Sequence, residues 1–228
     1  MTQHALFEAP EISPYDLVVE SNHRIANHLA SLAAILRRQM SSVGDGPDLI
    51  SRNEVVSVIQ EAAGKIMAVS RLHQLFTLHP SDAVLDLGEV LRDMLQAFED
   101  SGIFDGRLHA HATFDGRCQI RSAHASAIAL ASAEAITNAV KYAHPSGLPV
   151  ELSIVATAAP GGGAVLEIGD DGVGLPEGFE ESRDSGAGLK LMRLLVENIG
   201  GGLNIKSHAL GLTVIIRLPP MLGLVESN

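Results

Sequence analysis

Glu134-Ala135-Ile136-Thr137-Asn138-Ala139-Val140-Lys141-Tyr142 lies inside an Ala-rich segment, Ser122 to Ala143, whose composition predicts one long helix. Offsets of four and three residues put Glu134, Asn138 and Lys141 on one face of that helix. A carboxylate, a carboxamide and an ammonium in line can order water, coordinate Mg²⁺ and hold a phosphate. Downstream, Val150 to Thr157 and Ala164 to Ile168 are β-rich runs around Pro160-Gly161-Gly162-Gly163, which predicts a hairpin. Leu189 to Ile199 reads as a helix stopped by Gly200-Gly201-Gly202, and Leu203 to Lys206 with Leu212 to Leu218 as a closing hairpin. Upstream, Leu87 to Asp100 is helical, and Leu108 to Phe114 and Cys118 to Arg121 are short strands. The repeated Phe-Asp-Gly-Arg at Phe104 and Phe114 marks two similar turns. Hairpins interleaved with three helices predict an α+β sandwich of one mixed sheet with helices on one face.

Two further stretches accompany the helical triad. Asp170-Asp171-Gly172-Val173-Gly174-Leu175-Pro176 follows a strand; its glycines allow close backbone approach and a buried Asp can accept a hydrogen bond from an exocyclic amine. Gly186-Ala187-Gly188-Leu189 opens a helix, whose free N–H groups and positive dipole end suit an anion such as phosphate. Each stretch alone is common: Gly-x-Gly is usually a turn, and a helical Glu-Asn-Lys set is usually a solvated face. Their order along one chain is the stronger signal.

The pattern changes near His79-Pro80-Ser81-Asp82, giving expected domains of 1–80 and 81–219 and a tail of 220–228. Before the change the periodicity is helical. Ser13, Pro14 and Asp16 read as an N-cap, an N1 proline and a first-turn acid of a helix reaching about Ser42. Ile25, Leu29, Leu32, Leu36 and Met40 form its apolar stripe. After Gly44-Asp45-Gly46-Pro47 a second helix carries Val55, Ile59, Ala62, Ile66, Val69, Leu72 and Phe76. Two long amphipathic helices joined by a short turn make an antiparallel hairpin with uncovered apolar area, so a homodimeric four-helix bundle is expected. His23 lies roughly 140° from the centre of the first stripe and projects to solvent, with Glu20 and Asn27 on the same side. His28 lies near the stripe and reads as an ordinary packed histidine.

The 228 residues hold 16 Lys+Arg against 27 Asp+Glu, a formal charge of −11. That balance disfavours nucleic-acid tracking and anionic membranes. Six Phe, two Tyr and no Trp are too few for base-stacking platforms and leave an aliphatic, Ala-rich core. A single cysteine, Cys118, excludes an internal disulfide framework. No run reaches the ~18 apolar residues of a membrane span and no secretory pattern opens the chain, so a cytoplasmic protein without membrane insertion is expected.

Together, the three stretches resemble the N box and the two glycine boxes of the GHKL (Bergerat-fold) ATP-binding domains of histidine kinases, gyrase and Hsp90, over most of residues 81–218. The resemblance implies ATP and Mg²⁺ as cofactors. Glu134 belongs to the N box; Asn138 would bind the metal, Lys141 a phosphate, and Tyr142 would flank the adenine. Asp170, with Gly172 and Gly174, would take the adenine amino group, and Gly186, Gly188 and Leu189 the phosphates. Leu175 to Gly186 would be a lid, and Thr213 would support the adenine pocket. A two-helix segment ahead of such a domain, with His23-Arg24-x-x-Asn27 early in its first helix, resembles the HisKA_2 histidine kinases; the missing Trp excludes a sibling family with a Trp-x-Glu signature. The family commonly has Lys-Asn-Asn where this chain has Ala26-Asn27-His28, which touches phosphotransfer rate or partner preference.

The resemblance implies a two-component histidine kinase that autophosphorylates on His23 and passes the phosphoryl group to a response-regulator receiver domain. Glu20 or Asn27 would orient the imidazole, and Arg24 would steady phosphoryl oxygens. Ala30, Ala34, Arg37 and Arg38 offer a small-residue face with a basic rim to the receiver. About a dozen residues precede the first helix, so any input signal is expected from a separate sensor protein. The alternatives are a non-catalytic phosphotransferase, a response-regulator phosphatase using the same fold, or an anti-sigma-type serine kinase, which needs no histidine hairpin.

Overall fold

The computed structural model describes residues 83–220 except 103, 105, 117, 161 and 181–184, together with 33, 51, 52, 55, 56, 59, 62, 63 and 66. The expected first helix, most of the second, and the tail beyond Pro220 therefore lie outside the described residues. Ala33 and the described positions from 52 to 66 are helical. Val55, Val56, Ile59 and Ile66 are exposed on the single chain, Ile59 by 61%.

Ten elements follow in chain order: β1 (Val84–Asp86), α1 (Leu87–Ser101), β2 (Leu108–Phe114), β3 (Gln119–Arg121), α2 (Ser122–Tyr142), β4 (Val150–Ala158), β5 (Ala164–Asp170), α3 (Ala187–Asn198), β6 (Gly202–His208) and β7 (Gly211–Leu218). Helix α1 starts where Asp86 accepts a bond from the Glu89 amide and stops at Gly102, left-handed at φ 61, which donates to the Glu99 carbonyl.

The strands make two sheets rather than the single expected one. Short β1 pairs antiparallel with β3, and a five-stranded sheet runs β2-β4-β5-β7-β6. Mixed character is borne out: β2 is parallel to β4 and the other pairs are antiparallel. Strand β4 alternates buried Val150, Leu152, Ile154 and Ala156 with exposed Glu151, Ser153 and Thr157. The buried set faces one core with Leu166, Ile168, Val214 and Ile216, completed by Leu91, Met94 and Phe98 of α1, Ile128 and Ile136 of α2, and Met192 and Val196 of α3.

Alanines 125, 129, 131, 133 and 135 are all buried. Small side chains on several faces let α2 sit close to both the sheet and α3, fixing where its polar residues emerge. Cys118 is fully buried beside β3, its carbonyl accepting from the Leu87 amide and its amide donating to the Asp115 carbonyl.

Candidate functional site

The site forms where the ends of α2, β5 and α3 converge. On α2, Glu134 is only 3% exposed, while Asn138 and Lys141 are half-buried. The first turn of α3 lies directly against this face. A Cβ built on Gly188 would sit 2.9 Å from Glu134 Oε2 and 3.5 and 3.6 Å from Asn138 Nδ2 and Oδ1. Glycine at 188 thus brings a helix N-terminus onto the carboxylate–carboxamide pair. Gly186 enters that helix with extended backbone, φ −67 and ψ 174, and no side chain caps it. The first turn's amide hydrogens have no intrahelical acceptors and sit at the positive end of the helix dipole, an arrangement that attracts anions. Hard oxygen donors at Glu134 and Asn138 fit Mg²⁺, which takes most of its remaining ligands from water and phosphate. Accordingly, no cluster of three or more His, Cys, Asp or Glu able to hold a metal is formed among the described residues.

At the other end, β5 runs to Asp170, whose side chain follows the alternation of Leu166 and Ile168 onto the helix side of the sheet. Its Oδ1 accepts from the Gly172 amide at 2.9 Å and from the Leu212 amide of β7 at 3.2 Å. Both glycines of this loop are sterically required. A Cβ on Gly172 would run into the backbone of Ala143 at the end of α2, while Val173 donates to the Ala143 carbonyl. Gly174 is left-handed at φ 69, and a Cβ there would meet the His208 carbonyl. Leu175, the next residue, donates to Ser207 Oγ at 2.7 Å, pinning the first end of the expected lid to β6.

Other expected site residues fall differently. Tyr142 is 66% exposed at the end of α2. Leu189 packs half-buried against the core. Thr213 pairs with Gly169, its Oγ1 3.2 Å from where a Gly169 Cβ would stand. Strand alternation puts Thr213 on the face opposite Asp170; the closing strand reaches Asp170 through the backbone amide of Leu212 instead. Glu20, His23, Arg24 and Asn27 lie outside the described residues, as do Ala30, Ala34, Arg37 and Arg38.

Several supporting residues carried no sequence signal. Asp171 Oδ1 accepts from the Glu151 amide at 3.0 Å and pairs with His144 Nε2 at 3.0 Å. Burial pushes the Asp171 carboxyl up, but these two hydrogen bonds, with the His144 charge and Asp171's own amide, hold it below its ordinary value. The Glu151 carboxylate in turn meets His109 Nδ1 at 2.9 Å and His111 Nε2 at 3.1 Å, and these hydrogen bonds lower its pKa. The loop after β5 is thereby tied across β4 to the edge strand β2. Ser185 is buried immediately before Gly186. The only sequence hint at these positions is polarity beside a glycine box.

Residues 20–101 match the HisKA_2 histidine kinase model, and residues 123–222 match the model of histidine kinase-, DNA gyrase B- and HSP90-like ATPases. The sensor histidine kinase PdtaS of Mycobacterium tuberculosis is 26% identical over 211 residues, covering 91% of this chain and 40% of that protein. Blue-light-activated histidine kinase 2 of Erythrobacter litoralis is 24% identical over 208 residues, covering 89% of this chain and 56% of that one. The chain thus spans about two-fifths to just over half the length of these curated relatives. The histidine kinase domain of the Erythrobacter litoralis blue-light activated kinase shares the fold at TM-score 0.64 and 22% identity, covering 90% of this chain and 91% of that domain. No described helix is long and apolar enough to cross a membrane.

Proposed function

We propose, for a chain that belongs to the HisKA_2 histidine kinases and carries their GHKL ATPase domain, that it phosphorylates itself on His23 from Mg·ATP and passes the phosphoryl group to a response-regulator aspartate. The observation that carries this reading is the meeting of Gly188 with Glu134 and Asn138 at an uncapped helix N-terminus, with Asp170 held at the far side by two backbone amides. Asp170 Oδ2, which takes no part in those two bonds, accepts from the adenine amino group. Tyr142 flanks the ring, and Lys141 and the first turn of α3 hold phosphate oxygens. Asn138 and Glu134 would hold a magnesium ion, which when bound would neutralise negative charge on the phosphates. Thr213 contributes only by packing on Gly169.

In the reaction the His23 imidazole attacks the γ-phosphorus and the bond to the bridging oxygen breaks, releasing ADP. Glu20 or Asn27 orients the ring, and Arg24 steadies the transferred group. The receiver meets the Ala30, Ala34, Arg37 and Arg38 face. The chain divides into a histidine hairpin at 1–80, the ATPase domain at 81–219 and a tail at 220–228. Exposed Val55, Val56, Ile59 and Ile66 support a homodimer that covers the hairpin's apolar face, in the cytoplasm.

Incubation with γ-labelled ATP and Mg²⁺ tests the reading. Acid-labile label on the wild type, lost in His23→Ala, is expected. Absence of both label and nucleotide binding would sink the reading and leave the non-catalytic phosphotransferase, and acid-stable label would move the acceptor to a hydroxyl side chain.

A further inference from the structure

Helix α2 ends without a glycine: Ala143 follows Tyr142 in right-handed helical conformation, its amide still donating to the Ala139 carbonyl. The next residue turns the chain. The His144 carbonyl accepts from the amide of Gly147, which is left-handed at φ 76, so the backbone of His144 is held in a tight turn. Its side chain is only 18% exposed, and Nε2 lies 3.0 Å from Asp171 Oδ1, 27 positions along the chain. An ionised carboxylate can only accept, so the imidazole donates. The same Asp171 oxygen accepts from the Glu151 amide. Three elements therefore meet at one carboxylate: the end of α2, the start of β4 and the loop after β5.

What this bond joins gives it a use. Lys141 and Tyr142 are the last residues of α2, and Asp170 stands beside Asp171. A nucleotide bound as proposed above touches both sides, its adenine between Asp170 and Tyr142 and its phosphates at Lys141. Backbone contact already brings the two sides together, Val173 donating to the Ala143 carbonyl and Gly172 lying against Ala143. Contact at one residue leaves the helix end free to pivot about it. A second bond, from the neighbouring side chain, fixes the angle.

We infer that His144 is a positioning residue for nucleotide binding: its hydrogen bond to Asp171 holds the end of α2 at a fixed angle to the Asp170 loop. This rests on the nucleotide-site reading above and deepens it. His144 acts without touching the nucleotide. With the two sides set before the ligand arrives, less ordering is left to be done on binding.

Calorimetric titration of Mg·ATP into full-chain variants tests this. His144→Phe keeps a ring and loses the donor, whereas His144→Gln gives up the ring and keeps an N–H at the reach of Nε2. The Phe variant is expected to bind about fourfold more weakly, the effect of a hydrogen bond whose charged acceptor is partly exposed. The Gln variant is expected to stay within about twofold of the wild type. In an Asp171→Ala background the change to Phe is expected to cost no further affinity. Unchanged affinity in His144→Phe overturns the inference. So does a Gln variant as weak as the Phe one, since a packing role follows the ring and not the donor, and so does an equal loss in the Asp171→Ala background. Should His144→Phe fail to fold, His144→Ala takes its place with the same expectations. Wild-type protein that binds no Mg·ATP would instead bring down the proposed function, a failure visible before any variant is made.

Discussion

The two glycine-bearing loops of the site are built on opposite principles. In the loop at 170–174 both carboxylates are already engaged: Asp170 takes two backbone amides, Asp171 takes an amide and a histidine, and Gly172 and Gly174 are wedged against backbone. At 185–188 the helix start is uncapped and, among the described residues, the buried Ser185 hydroxyl has no hydrogen-bond partner; what Gly188 approaches is side chain, Glu134 and Asn138, and not backbone. The first loop is fixed in shape by its own bonds, and the second leaves its helix start open. Polar groups satisfied internally give shape; groups left open give affinity.

Substitutions separate the two. The largest effect is expected under the finished loop at Gly211, whose φ of 136 suits glycine and whose Cβ would run into the Asp170 carbonyl. Gly211→Ala should lose about 3 kcal/mol or more of stability, read by urea denaturation, and nucleotide binding with it. Gly188→Ala should act differently, since its Cβ would meet the tip of Glu134 at 2.9 Å and not backbone. Mg·ATP affinity is expected to fall about tenfold with a stability loss below about 1 kcal/mol. A loss at 188 as large as that at 211 would erase the contrast.

The smallest effect is expected at Asp171, whose carboxyl is held below its ordinary value near 3.8. Because the folded value is depressed, its contribution is complete above that ordinary value and disappears as pH falls through the folded one. Asp171→Asn should therefore be less stable than wild type at neutral pH by under about 1 kcal/mol, given its exposure to solvent. Denaturation midpoints of the two should converge in acid below the folded pKa.

Much of the ATPase domain was legible in periodicity and punctuation. The strand Leu108–Phe114 and the long helix from Ser122 emerge as read, because seven alternating residues and an Ala-rich run leave few alternatives. Misses have physical causes. Strand β5 runs two residues past Ile168, since Gly169 and Asp170 have poor strand propensity yet are held by Thr213 and Leu152 across the sheet. Helix α3 begins at Ala187, two residues before Leu189, because glycines 186 and 188 look like loop. Strand β1 has three residues, and only its distant partner β3 makes it a strand, so a second sheet could not be foreseen. The three site stretches were legible because glycines and spaced polar residues leave a local trace. Thr213 was misplaced by reading strand position without its parity relative to Asp170. The ties through Glu151, His144 and Ser207 join residues 20 to 32 positions apart and leave no local trace at all.

Cys118, the single cysteine of the chain, is sealed in the core beside β3. A thiol so enclosed is chemically quiet in the folded state. The protein is therefore a ready host for site-directed spectroscopy: a cysteine introduced at an exposed position such as Glu177 becomes its one reactive thiol, with no native residue to remove first.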